Sequence, residues 1–291
     1  MSDVPKNGPA TVPTDFLAAE LAIARSAALE AAALVAKFRG STTLSVEHKT
    51  GDEPVTEADR LASELILRRL EKAFPTDAIL SEEAPDDGRR LSHSRVWMVD
   101  PIDGTRDFIN GDDGFCVMIG LCIDGRPRLG VLAMPANGDL YEAVVGVGGW
   151  KVSADGTRTP LKTSTLTGPP GIRLVASKSH RTKDVDGFRK AMQITDEVNV
   201  GSIGVKVAMV ASDQRDLYVY PGSRTKIWDS CAPEAVILAA GGRITDVRGN
   251  ALSYTEPGLV NRGGLVASNG PLHDRVLETL ATLVGTRILP G

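Results

Sequence analysis

The first regular pattern in the chain runs over residues 15–38, where Leu17, Leu21, Ala24, Ala28, Leu29, Ala32 and Val35 return at helical spacing and Gly40 supplies a stop. Apolar positions three and four apart share one side of a helix, so the stretch predicts a long amphipathic helix in an alanine-rich background. Residues 42–49 read as a short extended segment, closed by the turn signal Gly51-Asp52. A second helix opens at Thr56, presents Leu61, Leu65, Ile66, Leu70 and Ala73 on one face, and ends at Phe74-Pro75. The rhythm then changes. Ala78-Ile79-Leu80 is a short apolar segment that delivers Glu82 and Glu83, residues 85–94 form a charged surface loop, and Val96-Trp97-Met98-Val99 is unbroken. Four apolar residues in a row indicate a strand buried on both faces. Runs at 115–123, 128–134, 140–145 and 149–152 follow, separated by turns that include Asp124-Gly125 and Asn137-Gly138. These dipeptides make tight hairpins, so the runs predict an antiparallel meander.

Gly168-Pro169-Pro170, within 163–171, marks a domain boundary on composition. Beyond it, strands at 172–176, 197–200, 217–220 and 243–246 alternate with helices at 182–192, 203–211, 231–240 and 272–284. Alternation of this kind predicts an α/β unit. The chain therefore divides into a tail (1–13) rich in Pro, Gly, Ser and Thr, a part with helices and an antiparallel sheet (14–165), and a C-terminal α/β part (166–291). The whole is of mixed α/β (α+β) class. A length of 291 residues fits two cores.

Composition narrows the function classes. A net charge of -4 gives no electrostatic footprint for long nucleic acid. No apolar run reaches the roughly 18 residues of a membrane span, and the first residues lack the order of a signal peptide, so a cytoplasmic location is expected. Cys116, Cys122 and Cys231 show no CxxC spacing and are odd in number, which favours buried thiols over zinc or a disulfide framework.

The candidate chemistry is concentrated in Asp100-Pro101-Ile102-Asp103-Gly104-Thr105, which reads as a proline-stiffened turn holding two acids before a glycine and a hydroxyl. Glu82, Asp100, Asp103 and Asp229 each fall at the end of a segment expected to be buried, where an unpaired carboxylate is costly. Hard oxygen ligands without His or Cys select magnesium, manganese or calcium, and magnesium combines few carboxylates with phosphate oxygens. Gly104-Thr105 is expected to open a helical turn whose unpaired amides face the same anion. Each feature has an ordinary alternative. Asp-Pro-x-Asp-Gly is also a surface turn, Asp229 or Ser230 can cap the following helix, and Asp59 fits the acid of a capping box begun by Thr56. Their joint occurrence is what the alternatives explain badly.

Residues 51–59, Ser81-Glu82-Glu83, Asp100 through Thr105, and Trp228-Asp229 through Gly241-Gly242 resemble, in order, four blocks of the inositol monophosphatase superfamily of magnesium-dependent, lithium-sensitive phosphomonoesterases. The resemblance implies a layered αβαβα sandwich of the inositol monophosphatase and fructose-1,6-bisphosphatase type. It implies two or three Mg2+ ions, with Mn2+ as a substitute and Li+ as an inhibitor, held by Glu82, Asp100, the Ile102 carbonyl, Asp103 and Asp229. By the same resemblance Asp59 and Thr105 position and deprotonate the attacking water, and Gly104 and Thr105 bind the phosphate, in an in-line hydrolysis without a covalent intermediate.

Residues 200–206, 217–220 and 228–234 look closest to the bisphosphate nucleotidase branch, which removes the 3′-phosphate of 3′-phosphoadenosine 5′-phosphate. That similarity implies substrate contacts from Ser177, His180, Ser202 and Lys206, with Lys206 on the second phosphate; a loop histidine and a solvated helix face are the ordinary alternatives for His180 and Lys206. The inositol-phosphate or sugar-phosphate phosphatases are the rival reading. Their usual Glu shortly before Trp-Asp is absent here, where Pro221-Gly222-Ser223 stands, and Arg106-Asp107-Phe108 follows the nucleotidase pattern. A non-catalytic phosphate sensor would have lost a ligand or Thr105, and none is lost. The expected partner is a small phosphorylated molecule, without membrane or long nucleic acid, and the protein is a monomer or a homodimer.

Overall fold

The computed structural model describes residues 13–40, 46–49, 53–178 and 183–284. Helix α1 (Ala18–Phe38) turns Ala24, Ala27, Ala28 and Ala31 inward, and these small side chains let it lie close to a sheet. The hairpin β1 (Val46–Lys49) and β2 (Glu53–Thr56) leads into α2 (Glu57–Ala73), which packs beside α1. A seven-stranded sheet follows, made of β3 (Ala78–Ser81), β4 (Arg95–Asp103), β5 (Cys116–Ile123), β6 (Arg126–Ala133), β7 (Leu140–Val144), β8 (Gly148–Val152) and β9 (Arg158–Pro160), in that spatial order. The short α3 (Thr105–Ile109) follows β4 directly. All neighbours in this sheet are antiparallel except β3 and β4, which bears out the meander that the Asp-Gly and Asn-Gly turns predict.

The rest of the chain supplies β10 (Arg173–Ser177), α4 (Lys183–Ala191), β11 (Asp196–Val200), α5 (Ile203–Ala211), β12 (Leu217–Tyr220), α6 (Trp228–Ala239), β13 (Arg243–Thr245), β14 (Leu265–Ser268) and α7 (His273–Val284). Its five strands order as β11-β10-β12-β14-β13, parallel through the first three and antiparallel around β14. Four apolar clusters account for five layers. The first joins α1 and α2 to the large sheet through Ile66, Trp97, Val99 and Val131. The second and third pack α5 and α6 between the two sheets, around Met118, Ala208 and Val236 and around Val207, Tyr218 and Ile237. The fourth seals α4 and α7 over the small sheet through Leu174, Phe188 and Val276. The order is α, β, α, β, α, as expected.

Strand β14 was not foreseen, although it is paired on both sides, with β12 and β13. Its four residues are all buried, so no alternation of apolar and polar positions announces it. Helix α6 begins at Trp228 rather than Cys231, which places Asp229 inside its first turn. Among the described residues, no helix is long and apolar enough to cross a membrane.

A buried acid away from the cleft gives a pH-dependent prediction. Glu234 on α6 accepts a hydrogen bond from the Tyr254 hydroxyl at 2.7 Å. Burial pushes its pKa up to about 7, a rise that the Tyr254 bond only partly opposes. Between pH 4.5 and 7 the folded protein therefore holds a proton that the unfolded chain has released, so this group makes stability fall as pH rises. Glu234→Gln keeps the acceptor and removes the titration. Its stability relative to the wild type should grow by about 3 kcal/mol between pH 4.5 and 7, at 1.36 kcal/mol per pKa unit. The opposite contribution of His273, whose pKa burial lowers to about 4, is common to both proteins and cancels in the comparison. Urea melts across this range test it, and a difference independent of pH would refute it.

Candidate active site

The sequence motif at the end of β4 is not a free turn. Asp100 pairs with Met118 and Asp103 with Cys116, so three steps along β4 match two along β5. In a regular strand Asp100 and Asp103 would face opposite sides of the sheet; the extra residue of a bulge brings both to the same side. Ile102 is sent the other way, into the cluster under α1 and α2. Pro101, which has no N–H to donate, is tolerated at such an irregularity. The Ile102 amide donates to Asp100 Oδ1 at 3.0 Å and fixes the carboxylate. Gly104 then takes φ 96°, and a Cβ there would stand 2.7 Å from the Gly114 carbonyl oxygen, so no other residue fits. The bond from Phe108 N to Gly104 O closes the first turn of α3 and leaves the preceding amides without a helical partner.

The two remaining acids arrive on two other elements. Because β3 runs parallel to β4, with Ser81 beside Val99, the chain brings Glu82 alongside Asp100, and Glu82 N donates to Val99 O at 3.1 Å. Asp229 comes from α6, whose backbone lies directly on β5 and β6: a Cβ on Gly130 would be 2.2 Å from Ala232 O, and one on Gly120 2.8 Å from Ala232 N. Asp229 Oδ2 accepts from Lys226 N at 2.8 Å. Asp103 Oδ2 accepts from Ser202 Oγ at 2.6 Å and from Gly204 N at 2.7 Å, both at the start of α5.

Burial raises the pKa of Asp100 well above the usual carboxylate range, and the charges of Glu82, Asp103 and Asp229 push it further. Asp229 is raised in the same way, by burial and then by Asp103 and Glu82. Burial also raises Asp103, against Lys206, Ser202 and Gly204, which stabilise its charge. Four acids that repel one another in a buried cleft call for added positive charge. Among the described residues no three or more acidic, Cys or His side chains close into a cage able to hold an ion unaided. Magnesium does not require such a cage, since it keeps waters and takes substrate oxygens beside one or two carboxylates. Asp100 Oδ2 and Asp229 Oδ1 take no hydrogen bond from a described residue, which leaves hard oxygen donors at the cleft. The donor set fits a hard divalent cation.

Asp59 caps α2 with one oxygen and faces Thr105 with the other. Its Oδ2 accepts from Thr56 N at 2.8 Å and Thr56 Oγ1 at 2.5 Å, which completes the capping box of α2. Its Oδ1 lies 3.4 Å from Thr105 Oγ1, and that hydroxyl is also 3.0 Å from the Ile102 carbonyl. One proton on Thr105 thus has two acceptors.

Glu82, Asp100, Ile102, Asp103, Gly104, Thr105, Ser177, Lys206 and Asp229 all line one cleft of about 460 Å³. His180 lies outside the described residues. Ser202 does not line this cleft: it is fully buried, caps α5 through Val205 N at 3.0 Å, and holds Asp103. Lys206 is likewise fully buried rather than on a solvated helix face. Its ammonium donates to Gly201 O at 2.7 Å and Val200 O at 3.1 Å and sits 5.0 Å above the Tyr218 ring. Burial lowers its pKa to about 8, with Asp103 and Asp107 pulling it back up.

Two features of the site have no role assigned to them in the sequence. Asp107 is buried against the Gly201 amide, 3.0 Å away, in space that glycines leave open: a Cβ on Gly114 would meet its Oδ2 at 2.1 Å. The loop Ser223-Arg224-Thr225-Lys226 forms part of the cleft wall, and no local pattern marks it.

A model of the inositol monophosphatase family matches residues 17–285. The chain is 34% identical over 224 residues to the 3′(2′),5′-bisphosphate nucleotidase CysQ of Salmonella typhimurium, covering 77% of this chain and 88% of that protein. It is 35% identical over 228 residues to the 3′-phosphoadenosine 5′-phosphate phosphatase of Mycobacterium bovis, covering 75% and 80%. Among solved structures, inositol monophosphatase from Anabaena (Nostoc) sp. PCC 7120 superposes with a TM-score of 0.74 at 25% identity, over 92% of this chain and 97% of that one.

Proposed function

Since the chain belongs to the inositol monophosphatase family, we propose that it is a magnesium-dependent phosphomonoesterase whose substrate is 3′-phosphoadenosine 5′-phosphate, hydrolysed to AMP and phosphate. The observation that carries the chemistry is the convergence of Glu82, Asp100, Asp103 and Asp229, from the end of β3, from β4 and from α6, on the cleft that also holds Gly104 and Thr105. Identity of 34% and 35% to two proteins named for the nucleotide bisphosphate, each over about three quarters of the chain, supports the substrate.

In this reading Glu82, Asp100, the Ile102 carbonyl, Asp103 and Asp229 hold the ions. Bound magnesium supplies the positive charge that activates water and offsets the charge developing on the leaving oxygen. The chain's own residues do the rest. Amides at the start of α3 receive the phosphate oxygens. Thr56 pins Asp59 through Oδ2, so Oδ1 stays toward Thr105. Thr105 passes its proton to Asp59 as it takes one from the attacking water, and no nucleophilic side chain is involved. Lys206 and Ser202, behind Asp103, keep that acid charged and oriented.

The fold likeness to an inositol monophosphatase supports a second reading, inositol 1-phosphate as substrate. A phosphate-release panel with magnesium decides between them. Release from 3′-phosphoadenosine 5′-phosphate should exceed that from inositol 1-phosphate and fructose 1,6-bisphosphate by at least tenfold in kcat/KM. Dominant release from inositol 1-phosphate would overturn the substrate, and no release from any of the three would overturn the activity.

A further inference from the structure

The acid centre accounts for one phosphate of a nucleotide bisphosphate, and the other needs a cation of its own. Lys206 lines the cleft, but two of its three ammonium donors already go to the carbonyls of Val200 and Gly201, which leaves it at most one bond to give a second phosphate. We propose that the loop 223–226 reads the second phosphate, with Arg224 as its principal contact and Thr225 and Lys226 in support. This rests on the nucleotidase reading and adds to it the residues that select a doubly phosphorylated substrate.

Three observations lead there. Arg224, exposed, and Lys226, half-buried, both line the cleft, and neither forms an ion pair with a carboxylate among the described residues. Thr225 between them is 7% exposed and also lines the cleft, yet its Oγ1 has no hydrogen-bond partner. A buried hydroxyl without a partner is unfavourable, and a phosphate in the cleft would satisfy it by drawing the Thr225 side chain toward itself.

The loop is also held in place. Asn261 donates from its amide to Thr225 O and from Nδ2 to Lys226 O, both at 2.8 Å, and Ile227 N donates to Leu259 O at 2.9 Å. Lys226 N is bound to Asp229 Oδ2 at 2.8 Å, so the loop and the acid centre share a rigid connection. Such a connection fixes the distance between the two phosphate sites, which lets the cleft measure a substrate. An arginine suits this task because its planar fork can bond two phosphate oxygens at once.

The test is the ratio of kcat/KM for 3′-phosphoadenosine 5′-phosphate to that for adenosine 3′-monophosphate, which lacks only the second phosphate. The wild type should show a ratio well above ten. Arg224→Ala should lower that ratio by about 50-fold, mainly through KM for the bisphosphate, as loss of a charge-assisted hydrogen bond implies. Thr225→Val, isosteric and without the hydroxyl, should lower it by about fivefold, and Arg224→Lys should restore part of the loss. If the wild type discriminates and both Arg224→Ala and Thr225→Val discriminate equally well, the loop does not read the second phosphate and the substrate assignment stands. If the wild type itself shows no preference for the bisphosphate, the nucleotidase reading fails and the inference fails with it.

Discussion

Asp103→Asn lowers phosphate release by about three orders of magnitude, roughly 4 kcal/mol of barrier, while the protein stays folded. The two parts of this expectation come from the two oxygens of one side chain. Asp103 Oδ2 accepts from Ser202 Oγ and Gly204 N, and an asparagine carbonyl can keep both bonds. Its amide then replaces the other oxygen and turns N–H donors toward the cation site, where a ligand charge is required. The fold should even gain. Asp103 is one of the charges that destabilise ionised Asp100 and Asp229, so the variant should melt higher than the wild type in chelator. Activity and stability moving in opposite directions is the signature of a group kept for chemistry rather than packing. Turnover near the wild-type value at saturating magnesium would remove Asp103 from the centre.

Gly130→Ala is the second large effect, and its cause lies in packing. The added methyl would stand 2.2 Å from the Ala232 carbonyl oxygen, which belongs to a helix backbone and has no rotamer with which to yield. Helix α6 must move outward by about 1 Å, in a molecule whose interior is close-packed. Overpacking of this kind costs about 1–3 kcal/mol. The same movement carries Asp229, three residues before Ala232, away from Asp100 and Asp103. A displacement of about 1 Å in a positioned group lowers a rate by roughly 100-fold. Gly130→Ala should therefore lose both stability in a urea melt and activity per folded molecule, although it touches no substrate. A variant with reduced stability and full specific activity would show that α6 adjusts without shifting Asp229.

Much of the fold was legible because local chemistry and tertiary structure agree. The alanine face of α1, the capping box of α2 and the Asp-Gly and Asn-Gly hairpins each name their element from within a few residues. Glu82, Asp100 and Asp103 stood out because they lie at the ends of buried strands, whereas Asp229 sits in the first turn of a helix. What stayed hidden depends on contacts distant in sequence. Pro101 suggested a turn, whereas pairing with Cys116 and Met118 makes it part of a bulge that aims Asp100 and Asp103 together. Strand β14 is recognisable only between β12 and β13. Ser202 and Lys206 are fully buried, the first holding Asp103 and the second lining the cleft, and that placement follows from how α5 lies under it. Arg224 and Thr225 carry no pattern at all. A lone arginine in a loop is ordinary, and a missing hydrogen-bond partner exists only in three dimensions.

The claim on which the rest depends is that the four acids act by holding divalent cations. Its most direct test is phosphate release from 3′-phosphoadenosine 5′-phosphate by protein stripped with chelator and then titrated with Mg2+, beside Asp103→Asn treated in the same way. The account predicts no release from the stripped wild type, full recovery with magnesium, and recovery in the variant to no more than about a thousandth of that rate. Release from the stripped wild type at an undiminished rate would contradict it.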